Sequence, residues 1–125
     1  MTEPLPAGSV IGILGGGQLG RMLSVAASRL GYRSHVYEPA ANPPAGHVAD
    51  RVTTAAYEDA AALAAFAASV DVITYEFENI PAAALDLIEA TRPIHPNRRA
   101  LAVSQDRILE KDFLTGLGLR TAPYA

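Results

Sequence analysis

Gly15, Gly17 and Gly20 form the pattern Gly-x-Gly-x-x-Gly between a short apolar run and a stretch with helical periodicity. Lacking a Cβ, such residues let the backbone come close to a ligand, and the free N–H groups of a helix start can meet an anion. Glu38 stands at the end of the next apolar run, where a dinucleotide-binding fold places the acid that takes a ribose hydroxyl. Taken alone, these residues make the fingerprint of nicotinamide or flavin binding. A second reading stays open, because the same glycines also permit tight packing of a strand against a helix. Arg21, in the first turn of that helix, opposes the helix dipole. A phosphate sharing the site would explain it, and so would a side chain directed into solvent.

Three more charged residues have the chemistry of a binding site. Glu76 follows an apolar run at the carboxyl end of an expected strand, the side on which open α/β sheets bind ligands. Its carboxylate accepts two hydrogen bonds at once and suits a vicinal diol, although a strand-end acid in solvent would look the same. Glu78, two residues on, reads as a structural or supporting acid. Arg107 offers planar, bidentate recognition of phosphate, and beside Asp106 it also reads as an ordinary exposed charge on a first helical turn. His35, His47 and His95 have no metal-ligand spacing and read as structural, with His47 the one nearest a candidate segment. No Ser–His–Asp or cysteine nucleophile arrangement is present. Neither a catalytic residue nor a metal site is therefore expected within these 125 residues.

The elements that must position these groups follow from periodicity. Val10–Leu14 reads as a buried parallel strand, and Gly15-Gly16-Gly17 turns the chain. From residue 18 to 30 the period changes. Leu19, Met22, Leu23, Ala26 and Leu30 fall on one face of a helix, and Gly31 sits where a C-terminal glycine belongs. Residues 34–37 form a second strand closed by Glu38-Pro39, followed by a loop containing Asn42, Pro43, Pro44 and Gly46. One helical turn is expected over 47–50 and a third strand over Arg51–Thr54. Residues 59–70 form an alanine-rich helix with Leu63, Phe66, Ala67 and Val70 on its narrow face. The β-branched run Val72–Tyr75 is a fourth strand. Helices over 81–90, 97–103 and 106–117 follow, with Pro81 in a first turn, Asn97 and Asp106 as caps, and Ile94-His95-Pro96 extended between them. Strand and helix alternate with no internal repeat, which implies an α/β fold: a parallel sheet with helices on both faces.

Bulk properties narrow the function classes. Half of the residues are hydrophobic and 18% are charged, enough for one folded core and too short a chain for two. A net charge of −3, with nine arginines and one lysine, gives no electrostatic footprint for nucleic acid or an anionic membrane. Any anion must be held by a local site. There is no cysteine, which excludes disulfides and thiolate metal sites. Neither a signal peptide nor a membrane-spanning run is visible, so a cytoplasmic location is expected. Residues 1–9, with Pro4, Pro6 and Gly8, read as a flexible tail, and 10–117 as the domain. Residues 118–125 read as the start of a linker into further protein, so a truncated chain is expected.

The residues of the glycine turn carry a resemblance. Gly15-Gly16-Gly17-Gln18-Leu19-Gly20-Arg21-Met22 closely resembles the loop Gly-x-Gly-Gln-Leu-Gly-Arg-Met of the N5-carboxyaminoimidazole ribonucleotide synthetases. Three further segments agree in order and spacing: Pro43-Pro44-Ala45 with His47-Val48-Ala49-Asp50; Asp71-Val72-Ile73-Thr74-Tyr75-Glu76-Phe77-Glu78-Asn79-Ile80; and Gln105-Asp106-Arg107 with Lys111 and Phe113-Leu114. The resemblance covers the chain from about Val10 to its end, and Thr-Tyr-Glu-Phe-Glu-Asn is its most specific marker.

What the resemblance implies is a Rossmann-like, pre-ATP-grasp domain, the first of three in the family. Family members use MgATP and bicarbonate to carboxylate 5-aminoimidazole ribonucleotide to N5-carboxyaminoimidazole ribonucleotide in purine biosynthesis, and they commonly pair as homodimers. This domain mainly holds the ribonucleotide. By the family pattern, Gly15, Gly17, Gln18, Leu19 and Gly20 approach its ribose-phosphate, Glu76 takes the ribose hydroxyls, and Arg107 reaches the ATP phosphates. ATP and Mg2+ are held mainly by domains beyond these residues, so the 125 residues alone are expected to be inactive. Under this reading the NAD- or FAD-binding alternative, and that of a self-standing nucleotide-binding module, recede.

Overall fold

The computed structural model describes residues 3–124. Met1, Thr2 and Ala125, the outermost residues of the expected tail and linker, lie outside the described residues. Four strands, β1 (Val10–Leu14), β2 (Arg33–Glu38), β3 (Arg51–Thr54) and β4 (Val72–Tyr75), form one parallel sheet in the order β3-β2-β1-β4. The helices are α1 (Gln18–Arg29), α2 (Ala60–Ala68), α3 (Ala82–Glu89), α4 (Arg98–Ser104) and α5 (Arg107–Gly116). The parallel α/β sheet expected from the alternating pattern is present, but alternation is incomplete. A single 3-10 turn at Pro44–His47 joins β2 to β3, and no strand separates the last three helices among the described residues, where Ile94 makes only an isolated parallel bridge to Ile73. The helical turn expected over 47–50 lies three residues earlier, because Pro44 fixes φ for a first helical turn.

The period-two alternation of the strands sorts side chains onto two faces. Leu14, Tyr37 and Ile73 pack with Leu63, Phe66 and Ala67 of α2 and Ala84, Leu85 and Ile88 of α3. Ile13 and Val36 point the other way, onto Ala45 of the 3-10 turn, and α1 lies on that side. Gly12 admits α2: a Cβ there would meet Phe66 Cζ at 2.9 Å and Val70 Cγ2 at 3.1 Å. Helix ends follow local chemistry. Asp59, Asn97 and Asp106 accept hydrogen bonds from the first-turn N–H groups of α2, α4 and α5. Gly31 takes φ +83°, and the Tyr32 N–H to Ala27 O and Gly31 N–H to Ser28 O bonds complete a Schellman end for α1. The residues before β1 are tied to this turn by Gly8 N–H to Gly31 O, 2.8 Å, and Tyr32 Oη to Leu5 O, 3.0 Å.

The apolar face expected for α1 is not the face that packs. Leu19, Met22, Leu23 and Leu30 are exposed, at 57, 59, 39 and 73% of their surface, whereas Gly20, Ser24 and Ala27 are buried. Small residues at spacings of four and three let the helix lie close to the strands and the 3-10 turn, and the large side chains are left outside. Close approach of the backbones decides which face is covered.

His35 is structural, as expected. It is 3% exposed, with Nδ1 at 2.8 Å from Ser69 Oγ and Nε2 at 2.8 Å from Thr53 Oγ1, so one ring ties β2 to α2 and β3. Burial, and then the charge of Arg51, lowers its pKa from 6.5 to about 4. The unfolded chain takes up this proton near pH 6.5 and the folded one only near pH 4. Stability from neutral His35 is therefore full above 6.5 and lost as pH falls toward 4. Urea unfolding at pH 5 should show roughly 2 kcal/mol less stability than at pH 7. His35→Gln, which cannot titrate, should flatten that difference; an unchanged pH dependence in the variant would remove His35 as its source.

Candidate functional site

The parallel register assembles the site. Leu14 pairs with Tyr37 on one side and Tyr75 on the other, so three strands end at the same level and deliver Gly15, Glu38 and Glu76 side by side. The ladder continues one step further, with Gly15 N–H to Tyr37 O at 2.9 Å and Glu76 N–H to Leu14 O at 3.1 Å.

Glu76 reaches under the glycine turn. Its Oε1 accepts from Gly17 N–H at 2.7 Å and its Oε2 from Gly20 N–H at 2.6 Å. Helix α1 has no side-chain cap from Gly17, its N-cap residue, and Glu76 supplies one from a distant strand. A carboxylate is favourable there, because unpaired N–H groups and the helix dipole both attract negative charge. Glu38 holds the other limb of the turn, accepting from Gly16 N–H at 2.7 Å and Ala40 N–H at 3.0 Å.

The glycines are needed for this packing. Gly15 has φ +102°, and a Cβ on it would fall 2.4 Å from Glu76 Cγ. On Gly20 the Cβ would meet the Gly15 carbonyl oxygen at 2.5 Å. The close approach read in the sequence is thus made, in the first place, by the protein's own carboxylates. Gln18 and Leu19 are exposed, and their N–H groups have no acceptor among the described residues. These are the two donors left for a ligand at this helix start.

Two clefts meet at Glu76 and Phe77. One, of about 400 Å³, is lined by Gly16, Gly17, Glu38 and Pro43; the other, of about 490 Å³, by Tyr75, Glu78, Gln105 and Arg107. Glu76 and Arg107 therefore line one space although they are far apart in the chain. Asp106 caps α5 through Ile108 N–H and Leu109 N–H, and Arg107 Nη1 pairs with Glu110 Oε2 at 2.5 Å, largely in solvent. Gln105, which the residue types did not single out, donates to Glu78 O at 2.7 Å and Ile80 O at 2.9 Å and so ties the end of α4 to the loop after β4 beside the second cleft. On the far side of the turn, Arg21 Nη1 lies 3.5 Å from His47 Nδ1, and His47 Nε2 lies 3.3 Å from Asn42 Oδ1. A neutral imidazole protonated at Nε2 satisfies both contacts. His95 lies apart, in an apolar groove with Ile11, Leu23 and Val72. Among the described residues no three His, Cys, Asp or Glu side chains group to hold a metal ion, and no helix is long and apolar enough to cross a membrane.

Glu76→Gln should destabilise the domain by about 1–3 kcal/mol, because its amide would turn an N–H donor toward a loop N–H. Gly20→Ala should cost a comparable amount, about 1–3 kcal/mol, by forcing a Cβ onto a backbone oxygen. Urea denaturation of both variants checks this, and wild-type midpoints would dissolve the proposed clamp.

Residues 9–105 match the family described as the ribonucleotide synthetase preATP-grasp domain. An N5-carboxyaminoimidazole ribonucleotide synthase of Brucella melitensis is 54% identical over 120 residues, 96% of this chain and 33% of that protein. A solved N5-carboxyaminoimidazole ribonucleotide synthetase in complex with ADP superposes with a TM-score of 0.93 at 40% identity, covering 100% of this chain and 33% of that one. The N5-carboxyaminoimidazole synthase of Aspergillus clavatus, in complex with ADP and 5-aminoimidazole ribonucleotide, gives a TM-score of 0.81 at 32% identity, over 93% of this chain and 31% of that one. The chain thus spans about a third of the length of the N5-carboxyaminoimidazole ribonucleotide synthases it matches. With one parallel sheet, its glycine turn and the flanking acids all falling inside the matched stretch, the chain belongs to the ribonucleotide synthetase preATP-grasp family.

Proposed function

We propose that this chain is the ribonucleotide-binding domain, residues 10–117, of the ligase that uses MgATP and bicarbonate to carboxylate 5-aminoimidazole ribonucleotide to N5-carboxyaminoimidazole ribonucleotide. The observation that carries the reading is the Glu76 clamp. Each carboxylate oxygen accepts one loop N–H and keeps a lone pair for a further donor, so Glu76 can cap α1 and take a vicinal diol together. The N–H groups of Gln18 and Leu19 are left for the ribonucleotide phosphate. Relatives solved with ADP and with 5-aminoimidazole ribonucleotide support the ligand class.

The same clamp speaks against a dinucleotide. The amides of Gly17 and Gly20 that would cradle a pyrophosphate are already held by a carboxylate. In this reading these residues bind and orient the ribonucleotide, while magnesium and most ATP contacts come from elsewhere in the enzyme. The single lysine, Lys111, donates to Ala122 O at 3.3 Å, away from the clamp. Arg107, which lines the shared cleft, would reach an ATP phosphate. A cytoplasmic, homodimeric enzyme completes the proposal.

In the full-length enzyme, Glu76→Ala should raise the KM for 5-aminoimidazole ribonucleotide about 10- to 100-fold, the size of losing hydrogen bonds to a charged group, with the KM for ATP little changed. An unchanged ribonucleotide KM would take Glu76 out of the site. The 125 residues alone should show no ribonucleotide-dependent ATP hydrolysis and no saturable enhancement of NADH fluorescence. Micromolar NADH binding would favour a dinucleotide domain instead.

A further inference from the structure

Gln105 stands between two helices: it closes α4, and the next residue, Asp106, caps α5. Its side chain crosses to the loop that follows β4. There Nε2 donates to Glu78 O at 2.7 Å and to Ile80 O at 2.9 Å, which uses both amide hydrogens. Carbonyls only accept, so the nitrogen must be the atom that faces them. The loop is also held at each end. Glu76 grips the Gly17 and Gly20 amides, and Ile80 is 1% exposed in the core. Leu101 anchors α4 in the same core. Helix α5, by contrast, buries none of its residues. It packs on α4, with the Arg99 guanidinium 5.5 Å from the centre of the Phe113 ring. Arg107 is the first residue of this helix, two positions after Gln105, and it lines the same cleft as Glu76.

We propose that Gln105 is a positioning residue that sets where Arg107 stands relative to Glu76. The inference rests on the roles proposed for those two residues, Glu76 for the ribose and Arg107 for an ATP phosphate. With no buried side chain of its own, α5 has little core packing to fix its start, so its place depends on the junction from which it departs. The Gln105 amide fastens that junction to the segment that carries Glu76. Attachment at two carbonyls resists rotation, where a single bond would act as a hinge. If the amide is removed, the loop keeps its hold on the glycine turn and on the core, whereas the start of α5 loses its tie to the cleft. The loss therefore falls on the Arg107 side.

In the full-length enzyme, Gln105→Met keeps the length of the side chain and its fitness for a helix end, but removes both donors. The KM for ATP should rise about tenfold, while the KM for 5-aminoimidazole ribonucleotide stays within about twofold, because the glycine amides still hold Glu76. A packing defect would move both constants together. Arg107→Ala should itself raise the ATP KM, and Gln105→Met added to it should raise that KM no further, since its effect passes through the missing guanidinium. Gln105→Lys, whose ammonium offers donors to the same two carbonyls, should keep the ATP KM within about threefold of wild type. An unchanged ATP KM in Gln105→Met or equal rises in both KM values would overturn the proposal. So would a further rise in the Arg107→Ala background, or a Gln105→Lys enzyme as impaired as Gln105→Met. An Arg107→Ala enzyme with the wild-type ATP KM would overturn it together with the proposed role of Arg107.

Discussion

The hydrogen bonds from Gly17 and Gly20 to the Glu76 carboxylate are the constraint on which the site depends. They join the end of β4 to the start of α1, and they substitute an internal anion for the external one that such a turn can bind. Once the carboxylate is in place, Gly15, Gly17 and Gly20 cannot carry side chains, because each Cβ would strike Glu76 or the backbone beside it. Glu38 repeats the device on the other limb, at Gly16. Two acids brought level by strand register therefore hold three residues of the turn, Gly16, Gly17 and Gly20. What remains exposed is the pair of donors at Gln18 and Leu19, aligned by a helix whose first turn is already capped. A ligand then meets a preformed edge, and little of its binding energy goes into ordering the loop.

Much of this is legible in the residues. Short apolar runs bounded by turn formers locate β1, β2 and β4, as expected of buried parallel strands, while the exposed edge strand β3 shows only through its β-branched residues. Asp106 as a cap and Gly31 as a helix end follow from hydrogen-bond supply at helix termini and are readable one residue at a time. The α1 surface is not. Periodicity marks where large apolar side chains cluster, yet the helix settles on Gly20, Ser24 and Ala27, whose small size allows closer approach than any leucine would. The local pattern carries no trace of that distance. The position of the 3-10 turn escapes the sequence for a simpler reason: a proline marks an irregular loop as readily as the first turn of a helix.

The residues of the site show the same division. Glu76 is visible as an acid at a strand end and through its family segment. Its bonds to the glycine turn are not, because they depend on which strand lies beside β1 and in what register. Gln105 likewise gains meaning only from the carbonyls of Glu78 and Ile80 that it meets. Residue types that make one specific long-range contact leave no periodic trace, which is the physical limit on reading such a site from composition and spacing.

The clamp also bears on how the chain acquires its shape. The contacts that shape the glycine turn span 59 and 56 residues, whereas the strand and helix on either side of it are neighbours in sequence. Closing so long a stretch carries an entropic cost that local helix formation does not. During synthesis the turn and α1 are complete long before Glu76 exists to fasten them. The ligand-facing edge is thus among the later features to form, and it matures only when β4 docks beside β1, so binding competence arrives together with closure of the sheet rather than with its first half.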